Sequence, residues 1–277
     1  TNTYYYHYSI FANYYGNYNI ERNIIRNNRN TSSSLCYYHY SIYNYYNYNT
    51  RINSNLIVDN SAYYYTYPIY NYSFISGNYT TEVRQNTVRC NGSLSNNWSP
   101  YIYAFYQYQY YHNNIKVIGN IFDIQNYSGF YMIYTYNING ASAYQWDYNS
   151  YYTNTGLTWY CNAGTASNFT GWSGLGFAGS NERFLNTGHN FATNFASNRF
   201  LNQNNVPTVS SNPKDVYGVA RNPAKSDRGA VEGILDIAQT ANDFNPPSPV
   251  CAGYTTTPTL TFQNNFAEPV TGFTVAM

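Results

Sequence analysis

The hexapeptide Tyr-Tyr-His-Tyr-Ser-Ile stands at residues 5–10 and again at 37–42, an offset of 32. Behind each copy comes an aliphatic-x-x-Asn-x-apolar unit, first Ile20-Glu21-Arg22-Asn23-Ile24-Ile25 and then Ile52-Asn53-Ser54-Asn55-Leu56-Ile57. Two more units follow in the same register, Val83-Arg84-Gln85-Asn86-Thr87-Val88 and Val117-Ile118-Gly119-Asn120-Ile121-Phe122, so the asparagines fall 32, 31 and 34 residues apart. A repeat of this length holds two or three short strands and cannot bury its apolar face alone. Stacked on its neighbour it can, which makes the chain an all-β solenoid. Each strand then pairs in parallel with its equivalent about 4.8 Å along the axis.

In such a stack equivalent side chains lie above one another, and a repeated asparagine can form an amide-to-amide ladder. Asn23, Asn55, Asn86 and Asn120 are the candidates for an inward ladder at a bend. The competing reading has them only making turns through left-handed backbone.

Composition supports strands over helices. Tyrosine supplies 38 of 277 residues, and Tyr, Asn, Thr and Ser fill positions where a helix needs better formers. Charged residues are 9% of the chain, against about 25% in an average soluble protein. The 13 basic and 12 acidic residues are scattered, so there is no basic stripe for phosphates and nucleic acid is excluded as a partner. No apolar run is long enough for a membrane span. The opening Thr1-Asn2-Thr3-Tyr4 is no signal peptide, which suggests a piece of something longer. Low charge and only three lysines suit a secreted or cell-surface protein. Cys36, Cys90, Cys161 and Cys251 lie far apart with no C-x-x-C pair, which disfavours zinc and leaves disulfide pairing open.

Beyond Tyr160 only Tyr217 and Tyr254 remain, so the aromatic character belongs to the first part of the chain. In Tyr101-Ile102-Tyr103-Ala104-Phe105-Tyr106-Gln107-Tyr108 alternate side chains must face outward. At least one face is therefore lined with rings, and Tyr101, Tyr103, Phe105, Tyr106 and Tyr108 are the candidate contacts to a glycan or a partner, since an aromatic body with a polar tip suits wet interfaces.

From residue 113 onward the chain resembles the closing part of right-handed parallel β-helix proteins of the pectin-lyase-like superfold. The run Asn113 to Phe122 looks like a standard coil of that superfold. Asp147-Tyr148-Asn149-Ser150-Tyr151-Tyr152 is similar to a penultimate DYNxYY stretch, and Trp172 with Gly179-Ser180 to the segment after it. Asp215-Val216-Tyr217-Gly218-Val219-Ala220-Arg221 and Asp227-Arg228-Gly229-Ala230-Val231-Glu232 resemble a D-x-x-G-x-x-R and D-I-G-A-x-E closure, with Arg228 departing from the usual aliphatic residue. The resemblance implies a right-handed parallel β-helix over 1–245. A Pro-rich linker at 246–249 follows, and then 250–277, which resembles the first strands of an immunoglobulin-like module through Leu260, Phe262, Phe273 and Val275. Modules of that kind occur in large surface adhesins exported by type IX secretion, SprB-like gliding-motility adhesins among them. This implies an extracellular location, neighbouring modules of a larger surface protein as partners, and a polysaccharide or surface ligand.

The alternative is a polysaccharide lyase or glycoside hydrolase of the same superfold. A glycosidase needs two carboxylates about 5–9.5 Å apart. Across 1–146 the only acidic residues are Glu21, Asp59, Glu82 and Asp123. Glu21 and Glu82 read as equivalent positions two coils apart, and Asp59 and Asp123 likewise. So sparse a set names no catalytic residue, and no cofactor or metal ligand set is evident. His7 and His39 repeat at 32 and are expected to stack.

Overall fold

The computed structural model describes residues 6–29, 37–73, 77, 79–92, 101–109, 114–127, 129–136, 144–161, 164–176, 178–184, 206–207, 214–221, 226–232, 237–239 and 262–264. It is an all-β parallel solenoid in which each of the first five coils gives one strand to each of three sheets. A long sheet stacks Tyr6–Asn13, Tyr38–Tyr45, Tyr65–Ser73, Tyr101–Gln109, Gly129–Tyr136 and Thr158–Cys161 in parallel, and Gly164–Ala166 pairs antiparallel with the last. The second sheet holds Tyr18–Glu21, Thr50–Asn53, Thr80–Arg84, Asn114–Ile118 and Tyr144–Asp147. In the third lie Ile24–Arg26, Leu56–Val58, Thr87–Asn91, Ile121–Gln125, Ser150–Thr153 and Arg183–Phe184.

Because the register is in phase, like stacks on like. Ile42, Ile69, Phe105, Ile133 and Trp159 form one inward column. Ile52, Val83, Val117 and Trp146 form the second, and Ile57, Val88, Phe122 and Tyr151 the third. All of these are buried in one continuous core. The short helix Phe169–Gly174, capped by the Asn168 side chain accepting from the Gly171 N–H, seats Trp172 edge-on against Trp146.

The bend between the second and third sheets explains the repeated asparagine. The residue before each one, Arg22, Ser54, Gln85 and Gly119, has positive φ. The left-handed residue is thus the neighbour, and the asparagine itself makes the ladder. Asn55 Nδ2 donates to Asn86 Oδ1 at 2.9 Å and to the Ile20 carbonyl, while Asn86 Oδ1 also accepts the Asn55 backbone N–H. Asn23 to Asn55 and Asn86 to Asn120 repeat the amide-to-amide contact at 2.9 Å. Only an amide offers both the donor and the acceptor that an interior rung needs.

The ladder runs two rungs past the four repeats, to Asn149 and then Glu182. Tyr148, before Asn149, is again left-handed. Asn120 Nδ2 donates to Asn149 Oδ1, and Asn149 gives both its backbone N–H and Nδ2 to Glu182 Oε1, at 2.8 and 2.9 Å. In every side-chain-to-side-chain rung the donor belongs to the earlier coil and the acceptor to the next, so the last rung has only to accept from the ladder, and a carboxyl serves. Burial pushes the Glu182 carboxyl up to about 7 from 4.5. A raised folded value adds stability that is complete below the unfolded value and is lost as pH rises through the folded one. The fold is therefore expected to lose on the order of 3 kcal/mol from this group between pH 4.5 and 8. Buried His39, held down to about 3 by desolvation and then by His7, acts oppositely. The wild-type minus Glu182→Gln difference in urea midpoint isolates the glutamate: it should change across pH 5 to 8, and a flat difference would refute the assignment.

The closing segment, 214–232 where described, lies over these bends. Gln85 Nε2 donates to the Asp227 carbonyl at 2.9 Å, Ala230 N–H to Thr87 Oγ1, and Gly229 N–H to the Gly119 carbonyl. Gly229 has φ +81, and a Cβ there would lie 2.5 Å from Ile121 Cδ1. Arg228, the departure from the aliphatic pattern, donates to the Asn149 carbonyl, to Ser150 Oγ and to the Asn181 carbonyl. Arg221 meets Glu232 Oε2 at 2.9 Å in the interior.

The chain divides into two units, Thr1–Glu232 and Gly233–Met277. Residues 233–236 and 240–245 lie outside the described residues. In that second unit Ile237–Gln239 pairs antiparallel with Phe262–Asn264. The 246–249 linker and Leu260, Phe273 and Val275 of the immunoglobulin-like expectation lie outside the described residues.

Candidate ligand-contact face

The outer surface of the long sheet is a grid of tyrosines. One column runs Tyr6, Tyr38, Tyr65, Tyr101, and the next Tyr8, Tyr40, Tyr67, Tyr103, Tyr131. A third runs Phe11, Tyr43, Tyr70, Tyr106, Tyr134, Tyr160, and a fourth Tyr45, Tyr72, Tyr108, Tyr136. Within the third, rings lie nearly parallel, with centroids 4.8 Å apart for Tyr43–Tyr70, 4.5 Å for Tyr70–Tyr106 and 5.0 Å for Tyr106–Tyr134. Between the second and third columns the contacts are edge-on, as for Tyr67 and Tyr70 at 86°. The strand spacing of about 4.8 Å sets the stacking distance, so the parallel backbone produces the ring stacks directly.

Alternation slips in four of the long strands. Ser41 and Ile42, Pro68 and Ile69, Ala104 and Phe105, and Met132 and Ile133 are consecutive buried pairs. Pro68, which has no N–H for the sheet, stands at this slip. The slip corrects one contact residue: Phe105 is fully buried in the core, packed edge-on to Phe122 and Trp146. Tyr101, Tyr103, Tyr106 and Tyr108 lie together on the outer face, each partly exposed.

Under the grid runs a second amide ladder. Asn44 Nδ2 donates to Asn71 Oδ1, and Asn71 Nδ2 to Gln107 Oε1. The tripeptides Tyr43-Asn44-Tyr45, Tyr70-Asn71-Tyr72 and Tyr106-Gln107-Tyr108 carry this signal in the sequence. His7 and His39 stack at 4.8 Å, with their Nδ1 atoms 2.8 Å apart.

Stacking decides what the face can do. Each ring covers its neighbours' π-faces, so most of the grid offers ring edges and phenol hydroxyls to solvent. Open ring faces lie at the first coil, where Tyr6 is 54% and Phe11 52% exposed. Burial, with neighbouring phenols adding to it, pushes Tyr72 up to about 12 and Tyr67 and Tyr70 higher still. For Tyr45, burial and a hydrogen bond with Tyr46 lead the rise to about 12.

Across 1–146 the described carboxylates are dispersed. Glu82 pairs in register with Arg51 and Asn19, whereas Glu21 shares a column with Asn53 and Arg84. The two glutamates are thus not equivalent, because Glu21 precedes its ladder asparagine by two residues and Glu82 by four. Asp123 aligns with Arg89 and Val58 on the third sheet, one residue out of step with Asp59. It is fully buried and accepts from Gln125 Nε2 at 2.8 Å. Glu82 and Asp123 therefore belong to different sheets. Among the described residues no group of three or more His, Cys, Asp or Glu is placed to hold a metal, and Cys90 and Cys161 are buried. Among them, too, no helix is long and apolar enough to cross a membrane.

Fold and face define a class: a parallel β-solenoid with columns of stacked tyrosines on the outer face of one sheet. No protein-family model matches the chain, and neither a curated protein nor a solved structure does.

Proposed function

We propose that this chain is a structural and adhesive segment of an extracellular cell-surface protein, and that the tyrosine grid contacts neutral glycans. The observation that carries the reading is the four-column grid held in register on one sheet. Evenly spaced hydroxyls on a stiff apolar floor complement a polymer with hydroxyls at regular intervals, and a rigid surface avoids the entropy of ordering loops. A secreted adhesin of the type IX, gliding-motility kind is the setting we favour, given the closure and tail motifs.

Co-sedimentation with insoluble cellulose or chitin tests the contact face. Wild-type protein is expected to bind weakly per site and to stay bound in 1 M salt, since few charges are there to be screened. A Tyr70→Thr/Tyr106→Thr variant, its fold verified by circular dichroism and urea midpoint, should lose most of that retention. Equal retention by the folded variant, or salt-sensitive binding by the wild type, would overturn the reading.

A further inference from the structure

The second sheet carries a feature that the tyrosine grid does not use. In a chain that is only 9% charged, three cations gather around one carboxylate. Arg51, Glu82 and Lys116 sit side by side on successive strands. Glu82 Oε2 lies 3.6 Å from Arg51 Nε and 3.8 Å from Arg84 Nε, and Oε1 lies 3.5 Å from Lys116 Nζ. All three distances exceed that of a charge-assisted hydrogen bond. One negative charge is thus shared loosely among three positive ones, leaving two in excess. Arg84 is inside, whereas the Arg51 and Lys116 side chains are 49% and 37% exposed.

These exposed heads open on a cleft of about 500 Å³ lined also by Asn17, Tyr18, Asn49, Thr50 and Thr80. Its rim is pre-ordered. Asn17 Oδ1 accepts both the backbone N–H and Nδ2 of Asn49, and Asn49 Oδ1 accepts the Thr80 N–H. Surplus positive charge in a concave, amide- and hydroxyl-lined site is complementary to an oxyanion carried on a polar, hydroxyl-rich molecule. A plain surface ion-pair network would balance its charges, and this one does not.

We infer that the cleft at Arg51, Glu82 and Lys116 binds the carboxylate or sulfate group of an anionic saccharide, with Glu82 holding the two cation heads apart when the site is empty. The site lies on a different sheet from the grid and stands independently of the neutral-glycan reading.

The test is titration of the full chain with inorganic sulfate, dextran sulfate, polyglucuronate and neutral dextran at low and moderate salt. One or both anionic polymers should bind, with affinity falling about tenfold or more as salt rises, and neutral dextran should not compete. Sulfate alone binding as well as the polymers would reduce the ligand to a free ion and contradict the saccharide. Arg51→Gln/Lys116→Gln should weaken anionic binding about tenfold or more and leave cellulose retention unchanged. Glu82→Gln separates the roles: a binding cleft tightens when its competing carboxylate is neutralised, while a purely structural network loosens and gains nothing. Failure of the anionic polymers to bind, or weaker binding by a folded Glu82→Gln variant, would overturn the inference.

Discussion

Asn86→Ala is expected to lower stability by about 4 kcal/mol, read as a large downward shift of the urea midpoint. Asn86 Oδ1 accepts from both Asn55 nitrogens, and its Nδ2 donates to the Ile52 carbonyl at 2.7 Å and to Asn120 Oδ1 at 2.9 Å. The residue is fully buried, so water cannot replace those partners. Leaving several buried polar groups unsatisfied costs about 1–3 kcal/mol each, and they do not add in full. Asn154→Ala provides the contrast: its amide meets Asn126 in an exposed ladder, and the change should stay within about 1 kcal/mol. Equal effects at the two sites would mean that the interior ladder has no special role.

The second large effect belongs to the closing segment. Arg221 is held by Glu232 Oε2 at 2.9 Å, by the Gly229 carbonyl at 2.7 Å and by Ser54 Oγ at 3.2 Å. Asp215 braces the same segment by accepting the N–H groups of Tyr217, Val219 and Glu232. Arg221→Met alone strands a buried carboxylate, with an expected cost of about 3–5 kcal/mol. Arg221→Met/Glu232→Met removes both charges and should recover much of that loss. Thermal unfolding of the single and double variants checks this; a double variant worse than the sum of the singles would refute a charge-pairing origin. The pair lies in the interior, so raising salt should change the outcome little.

The solenoid was legible because its repeat is spelled in residues that recur at fixed spacing, Asn23 through Asn120 above all. The next rung, Asn149, was not, since Trp146 stands where the earlier units have Ile52, Val83 and Val117. Glu182 was harder still, because a ladder's last acceptor need not be an amide. On the face, strict alternation placed Phe105 outward; the two-residue slip shared by four of the long strands turned it in, and only Pro68 hinted at that irregularity. The tyrosine columns could have been found from the recurring Tyr-x-Tyr tripeptides, whose middle residues form the ladder beneath them. That the rings cover one another's faces could not, since it depends on the parallel pairing itself. The cation cluster needed the register as well, because Arg51, Glu82 and Lys116 lie 31 and 34 residues apart and meet only when coils stack.

That stacking, coil on coil in a single register, underlies both the tyrosine grid and the cation cleft. It is tested most directly by hydrogen exchange of asparagine side-chain amides, followed by NMR on the full chain. The Nδ2 protons of Asn55, Asn86, Asn120 and Asn149 should exchange only with global unfolding, while those of exposed Asn49 and Asn154 exchange far sooner. Ladder amides that exchange as fast as the exposed pair would contradict the in-register solenoid.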